Sequence, residues 1–196
     1  MIIGITGGIG SGKSFVSQWL KTHYGIPVYD CDSQAQRLML GRVLRRKITE
    51  LVGADAYLPD GQLDRARMAA FVFADASHTA AINAIVHPAV KADFRRWASR
   101  HEGLVVIESA ILIEAGFRDI ADQLIVVEAP LSLRIQRVIQ RDGSTEEQVR
   151  ARIARQLSDD ERRRTADLVL VNDGSDFAPK LSFFIDHLLA QSAQKA

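Results

Sequence analysis

The chain has 196 residues, 47% hydrophobic and 25% charged, with a formal net charge of +1. This is the balance of an ordinary soluble domain with room for a core and small inserts, and it sets up no global field that would draw the chain to nucleic acid or an anionic membrane. A single cysteine, Cys31, excludes an internal disulfide framework and a cysteine-cluster metal site, no run approaches the roughly 18 apolar residues of a membrane span, and the apolar start meets a glycine loop at Gly7, too early for a signal peptide, so cytoplasm is the default expectation.

Ile2 to Thr6 reads as a short strand buried on both faces. Gly7-Gly8-Ile9-Gly10-Ser11-Gly12-Lys13-Ser14 follows, with the spacing of a P-loop, and Phe15 to Lys21 reads as a helix with Val16, Trp19 and Leu20 on one face. Glycines let the backbone turn its N–H groups toward phosphate oxygens, and the helix start adds partial positive charge. Gly8, Gly10, Ser11, Gly12, Lys13, Ser14 and Phe15 are therefore expected to bind a nucleoside triphosphate, Phe15 through its backbone. Lys13 is placed at the β- and γ-phosphates and the Ser14 hydroxyl on Mg²⁺. The bland reading, a glycine turn between strand and helix, is disfavoured because both flanks agree with the motif.

Pro27 to Asp30 reads as the second strand. Alternation carried through Asp30-Cys31-Asp32 would point both carboxylates the same way, beside the phosphate loop, where one could accept the proton of a hydroxyl awaiting a phosphate. Asp32 is the preferred base; the competing role is a helix cap, open also to Ser33. Helical periodicity then runs through Gln34 to Leu51, Asp64 to Phe73 and Ala80 to Ser99, with a turn at Pro59-Asp60-Gly61 and Asp64 as an N-cap. Arg65 is either an ordinary exposed arginine or a contact to an acceptor phosphate. His87-Pro88 is expected to mark a helix boundary, with Pro88 in a first turn. This stretch far exceeds one crossover helix and reads as a helical insert.

Leu104 to Glu108, Gln123 to Glu128 and Leu168 to Asn172 complete five parallel strands. Ligands of such sheets bind at the strands' carboxyl ends. Glu108 stands there, either as a helix-start charge or as support for the Mg²⁺ shell. Between the last two strands, Leu131 to Thr165 is arginine-rich and breaks near Asp142-Gly143-Ser144, with Thr145 as a cap; it reads as a lid. Arg134, Arg137 and Arg141 share one helix face, and Arg137 and Arg141 are the candidates to offset charge on a transferred phosphoryl group. Asn172 begins a loop expected against adenine, and the absence of Asn-Lys-x-Asp favours ATP over GTP. Phe177, Leu181, Phe184, Ile185 and Leu188 read as core packing.

The expected fold is thus α/β, a P-loop NTPase-type five-stranded parallel sheet flanked by helices, with residues 1–32, 102–130 and 166–196 as nucleotide-binding core, 33–101 as the helical substrate-binding insert and 131–165 as the lid. Small molecules are the expected partners, with no nucleic acid or membrane, and the chain would be a monomer or small homo-oligomer.

Together these residues resemble the dephospho-CoA kinase family. The resemblance rests on Gly4 to Ser14, Val28 to Asp32, Asp60 to Arg65, Val72-Phe73, Ile85 to Pro88, Leu112 to Glu114, Arg137 to Asp142, Arg155-Gln156 and Ala166 to Asn172, in family order over nearly the whole chain. It implies transfer of the γ-phosphate of ATP, with Mg²⁺, to the ribose 3′-hydroxyl of dephospho-CoA, with Asp32 as base, Arg137 as lid arginine and Asp32, Arg65 and His87 on the acceptor. The chain departs from the family pattern in three places: Phe15 stands where threonine is usual, Cys31 where alanine is usual, and Ala110-Ile111-Leu112-Ile113-Glu114 where Pro-Leu-Leu-Phe-Glu is usual. The alternatives weighed are another small-molecule P-loop kinase, of nucleoside monophosphate or shikimate type, and a non-catalytic ATP-binding regulator.

Overall fold

The computed structural model describes residues 1–194; Lys195 and Ala196, the end of the expected core, lie outside it, as do the side chains of Phe73 and of residues 193 and 194. Five strands, β1 (Ile2–Thr6), β2 (Val28–Asp30), β3 (Val105–Glu108), β4 (Gln123–Glu128) and β5 (Leu168–Val171), form one parallel sheet in the order β2-β3-β1-β4-β5. β1 lies centrally, with Ile5 opposite Glu108 on β3 and Thr6 opposite Val126 on β4. The carboxyl ends of β1, β3, β4 and β5 therefore come side by side, which is where the sequence places its polar residues.

The strands are continuous apolar runs because both faces are covered. One face packs with α1 (Lys13–Tyr24) through Val16 and Leu20 and with α9 (Ala178–Gln194) through Leu181, Ile185 and Leu188, around Ile3, Ile5, Ile125 and Leu170. The apolar tail is thus core, as its spacing predicts, with Phe177 and Phe184 packed at its margin.

The chain divides into two compact units, Met1–Tyr29 with His101–Ala196, and Asp30–Arg100. The second consists of α2 (Cys31–Leu40), α3 (Arg42–Val52), α4 (Arg65–Ala74) and α5 (Ala76–Ala98). Its core comes from four-residue spacing: Leu44, Ile48 and Val52 on α3, and Ile82, Val86, Val90 and Phe94 on α5. Three aspartates start its helices, Asp30 accepting from the Asp32 and Ser33 amides, Asp64 from Arg67 and Asp75 from Ser77. Pro59-Asp60-Gly61 turns as predicted, with Leu58 N–H bonded to Gln62 O at 2.8 Å and Gly61 at φ 86°.

Three local expectations are corrected. The strand ends at Asp30 and Asp32 lies in the first turn of α2, so the two carboxylates do not alternate along a strand; the Asp30 side chain, bonded to the next amides, stops the strand. The helix expected over 34–51 breaks at Gly41, which is extended at ψ 146°. Pro88 marks no boundary, because α5 runs through it. Proline forfeits the bond to the carbonyl four residues back, and the apolar residues packed on both sides hold the helix together across the gap.

In the first unit, the segment after β4 forms three helices rather than two halves: α6 (Leu131–Asp142), α7 (Glu146–Ile153) and α8 (Asp159–Thr165). α7 begins at Thr145, the expected cap, which forms a capping box with Gln148, and α8 begins with a second box from Ser158 and Glu161. No helix among the described residues is long and apolar enough to cross a membrane.

Candidate active site

Residues 7–12 carry the backbone from the end of β1 to the start of α1. Gly12 precedes α1 at φ 93°, a left-handed conformation that favours glycine, and no side chain caps the helix. A Cβ on Gly12 would run into the Asn172 amide, and one on Gly8 into the Arg134 guanidinium. Close approach favours glycine at both positions, and torsion favours it at Gly12 as well.

The loop is held through its carbonyls. Arg134 Nε donates to Ile9 O at 3.0 Å, and Asn172 Nδ2 donates to Ser11 O at 2.9 Å in a buried contact. Arg137 Nη1 lies 3.4 Å from Gly10 O and 3.5 Å from Ser11 O. Gln156 Oε1 accepts the Ile9 N–H at 2.9 Å. Lys13, the first residue of α1, has Nζ 3.5 Å from Gly8 O. Ser14 Oγ donates to Glu108 Oε1 at 2.7 Å, and Glu108 is buried at the end of β3. The structure thus brings together the two residues picked for the metal. The Ser11 hydroxyl is buried here without a hydrogen-bond partner.

Behind the loop lies a buried ionic cluster. Arg134 is 3% exposed, and its Nη1 meets both Asp159 oxygens at 3.1 and 2.9 Å. Arg162, 1% exposed, donates to Asp159 Oδ1 at 3.0 Å and has Nη2 3.9 Å from Glu114 Oε1. Burial depresses the Arg162 pKa, opposed by the Glu114 and Asp159 charges, yet a guanidinium stays ionised at any ordinary pH. Arg162 Nε and Nη2 find no hydrogen-bond partner. Two buried cations thus share one carboxylate, Arg134 being bonded also to Ile9 O while Arg162 is balanced by the Glu114 charge.

An open cleft of about 640 Å³ adjoins the loop, lined among others by Gly12, Phe15, Trp19, Arg137, Asn172 and Phe177. Phe15 is 61% exposed and meets Phe177 edge-on at 5.7 Å, and Trp19 meets Phe177 at 6.3 Å. The residue that replaces the usual threonine is therefore part of an aromatic wall.

Within the Asp30–Arg100 unit, Asp32 opens α2, and the capping that was its competing role belongs to Asp30. Arg65, first residue of α4, has Nη2 3.4 Å from Gln36 Oε1 on α2. His87 is half-buried on α5, and desolvation pushes its imidazole below the ordinary range.

The arginine face of α6 resolves into three situations. Arg134 is sequestered, Arg137 rests on the loop, and Arg141 is exposed and bonded to Asp142 at 2.7 Å. The Arg141 guanidinium, joined by Arg152, holds the Asp142 carboxyl below the usual carboxylate range. Sequence spacing singles out Arg137 and Arg141 and passes over Arg134 and Gln156. The i, i+3 relation of Arg134 to Arg137 is the one signal that links Arg134 to the loop.

Comparison with known proteins gives the family and the fold. The profile of the dephospho-CoA kinase family matches residues 1–177. The chain is 44% identical over 175 residues to a dephospho-CoA kinase of Bacteroides fragilis, covering 88% of this chain and 84% of that protein. Among solved structures it resembles TT1252 from Thermus thermophilus, with a TM-score of 0.82, 36% identity and 97% of each chain covered. It also shares its fold with a dephospho-CoA kinase from Campylobacter jejuni, at a TM-score of 0.70 and 20% identity, over 97% of this chain and 98% of that one.

Proposed function

The chain belongs to the dephospho-CoA kinase family, and from that premise we propose that it transfers the γ-phosphate of ATP to the ribose 3′-hydroxyl of dephospho-CoA, releasing CoA and ADP. The observation that carries this reading is the Ser14–Glu108 contact at 2.7 Å, set directly after Lys13 at the end of a glycine loop. A hydroxyl and a buried carboxylate are hard oxygen donors of the kind Mg²⁺ takes. That ion keeps several waters and leans on one or two protein carboxylates plus the substrate phosphates, so a larger protein cage is not required. Bound there, Mg²⁺ would neutralise charge on the phosphates.

The chain's own groups supply the rest. Gly8, Gly10, Ser11, Gly12, Lys13, Ser14 and the Phe15 backbone bind the phosphates. The cleft beside Phe15, Trp19 and Asn172 receives the base, although the Asn172 side chain itself is committed to Ser11 O. Asp32 takes the proton from the 3′-hydroxyl as its oxygen bonds the γ-phosphorus, and the bond to the β-phosphate oxygen breaks. Arg65 and His87 contact the acceptor. From the 131–165 lid, Arg137 leaves its two long carbonyl contacts to meet the transferring group, and Arg141 follows once freed from Asp142. The expected setting is the cytoplasm.

ADP release in a coupled assay, with dephospho-CoA, nucleoside monophosphates and shikimate offered in turn, tests this. Turnover is expected with dephospho-CoA alone. Turnover of another acceptor in its place, or ATP binding with no acceptor-dependent release, would overturn it.

A further inference from the structure

The peptide between Ile9 and Gly10 is held on its carbonyl side by Arg134 Nε at 3.0 Å. A trans peptide is planar, with C=O and N–H on opposite sides. Fixing Ile9 O toward α6 therefore turns the Gly10 N–H away from α6. Asn172 does the same for the peptide between Ser11 and Gly12. Arg137 acts on the peptide between Gly10 and Ser11, whose N–H stays within the loop, bonded to Gly8 O at 3.1 Å. Arg134 and Arg137, one turn apart on α6, thus do different work.

We propose that Arg134 is a positioning residue for the phosphate cradle: it holds the Ile9 carbonyl outward so that the Gly10 N–H presents to the nucleotide phosphates, and Asp159 holds Arg134 in that pose. Three observations support it. Arg134 is 3% exposed and lies so close to Gly8 that a Cβ there would displace its guanidinium. Its Nη1 is occupied by both oxygens of Asp159, which Arg162 fixes from the other side. Gln156 takes the neighbouring Ile9 N–H, so the peptides on both sides of Ile9 are set from residues 131–165. A lysine could supply one charge but not the fork that serves Ile9 O and Asp159 together.

The proposal rests on the reading of the loop as an ATP site, and its test uses ATP binding alone, without acceptor. Calorimetric titration of ATP with Mg²⁺ into the wild-type chain, Arg134→Lys and Asp159→Asn is run alongside thermal melting of each, below the lowest melting temperature. Arg134→Lys is expected to weaken ATP about tenfold or more, the scale of one charge-assisted hydrogen bond. Asp159→Asn carries the decisive sign. Removing a negative charge behind an arginine that touches phosphate would tighten ATP, whereas loosening a positioning arginine weakens it, here by a few-fold to about tenfold. The double variant is expected to bind no worse than Arg134→Lys alone, since both act through one contact. Unchanged or tighter ATP binding by folded Asp159→Asn overturns the proposal, as does lowered melting of both variants with ATP affinity intact. A wild-type chain that binds ATP but leaves dephospho-CoA untouched refutes the functional reading instead and leaves this test standing.

Discussion

In the unit built on the sheet, the loop over residues 7–14 is held by its backbone. Arg134, Arg137 and Asn172 reach carbonyls of Ile9, Gly10 and Ser11, Gln156 reaches an amide, and Ser14 is bonded to a buried carboxylate. In the Asp30–Arg100 unit, the candidates Asp32, Arg65 and His87 are single side chains on three helices, each started by its own aspartate cap. One site is a shaped backbone with side chains serving it; the other is a set of side chains on an independent scaffold. Changes in the first are expected to register in nucleotide binding as well as rate. Changes in the second should leave nucleotide binding alone.

The largest expected effect tests whether Arg137 belongs with the braces of the loop or with the reaction. Its contacts to Gly10 O and Ser11 O are long, at 3.4 and 3.5 Å, so little holds it in place. Arg137→Ala is expected to lower kcat by about 10³, the low end for an arginine that meets the transferring phosphoryl group, with a much smaller rise in the KM for ATP. Steady-state kinetics with both substrates varied would decide. A loss confined to KM would move Arg137 to the same standing as Asn172.

Asp32→Asn is the counterpart in the helical unit. Since Asp30 makes the cap, the substitution leaves the start of α2 intact. Turnover is expected to fall by at least about 10², the general-base scale, with ATP binding by calorimetry unchanged. Near-normal turnover would take the base role from Asp32. Lost ATP binding would break the separation between the two units' tasks.

The contrast also explains what could be read in advance. The loop is legible because backbone geometry demands glycine at fixed spacing, and Ile/Val runs such as Leu124 to Val127 betray strands covered on both faces. Strand alternation misplaces Asp32 because nothing in the residue types says that Asp30 caps a helix rather than continuing a strand. Pro88 misleads because the rule about prolines is local. One lost backbone bond and a ring clash cost about 3 kcal/mol, and four buried apolar residues of α5 spanning that point outweigh it. Spacing puts Arg134 on one face with Arg137 and Arg141 but does not single it out, because its burial depends on Asp159, a partner 25 residues on that helix periodicity cannot locate. The sequence leaves Glu108 open to two roles; its bond to Ser14, which no residue pattern foretells, shows only where the carboxylate points.

The smallest effect concerns the stability of the helical unit. His87 is half-buried on α5, and desolvation lowers its pKa, so the folded chain holds the neutral imidazole more firmly than the unfolded chain does. As pH falls through the ordinary histidine range, about 6.5, the unfolded state takes up a proton that the folded state still refuses. The unfolded state then binds more protons, so stability drops as pH falls, and the drop ends only below the depressed folded pKa. Above the ordinary range both states are neutral and the contribution is flat. His87→Gln removes this linkage while keeping a polar side chain of similar reach. Melting temperatures of wild type and variant between pH 8 and pH 5 are expected to run in parallel at the alkaline end, and the wild type to fall relative to the variant as the pH drops, because only the wild type carries the penalty. The effect is smaller than either kinetic one because His87 is only half withdrawn from water, so solvent still screens much of its charge. Curves that stay parallel throughout would mean that His87 titrates alike in both states, and its burial on α5 would then have no part in the unit's response to pH.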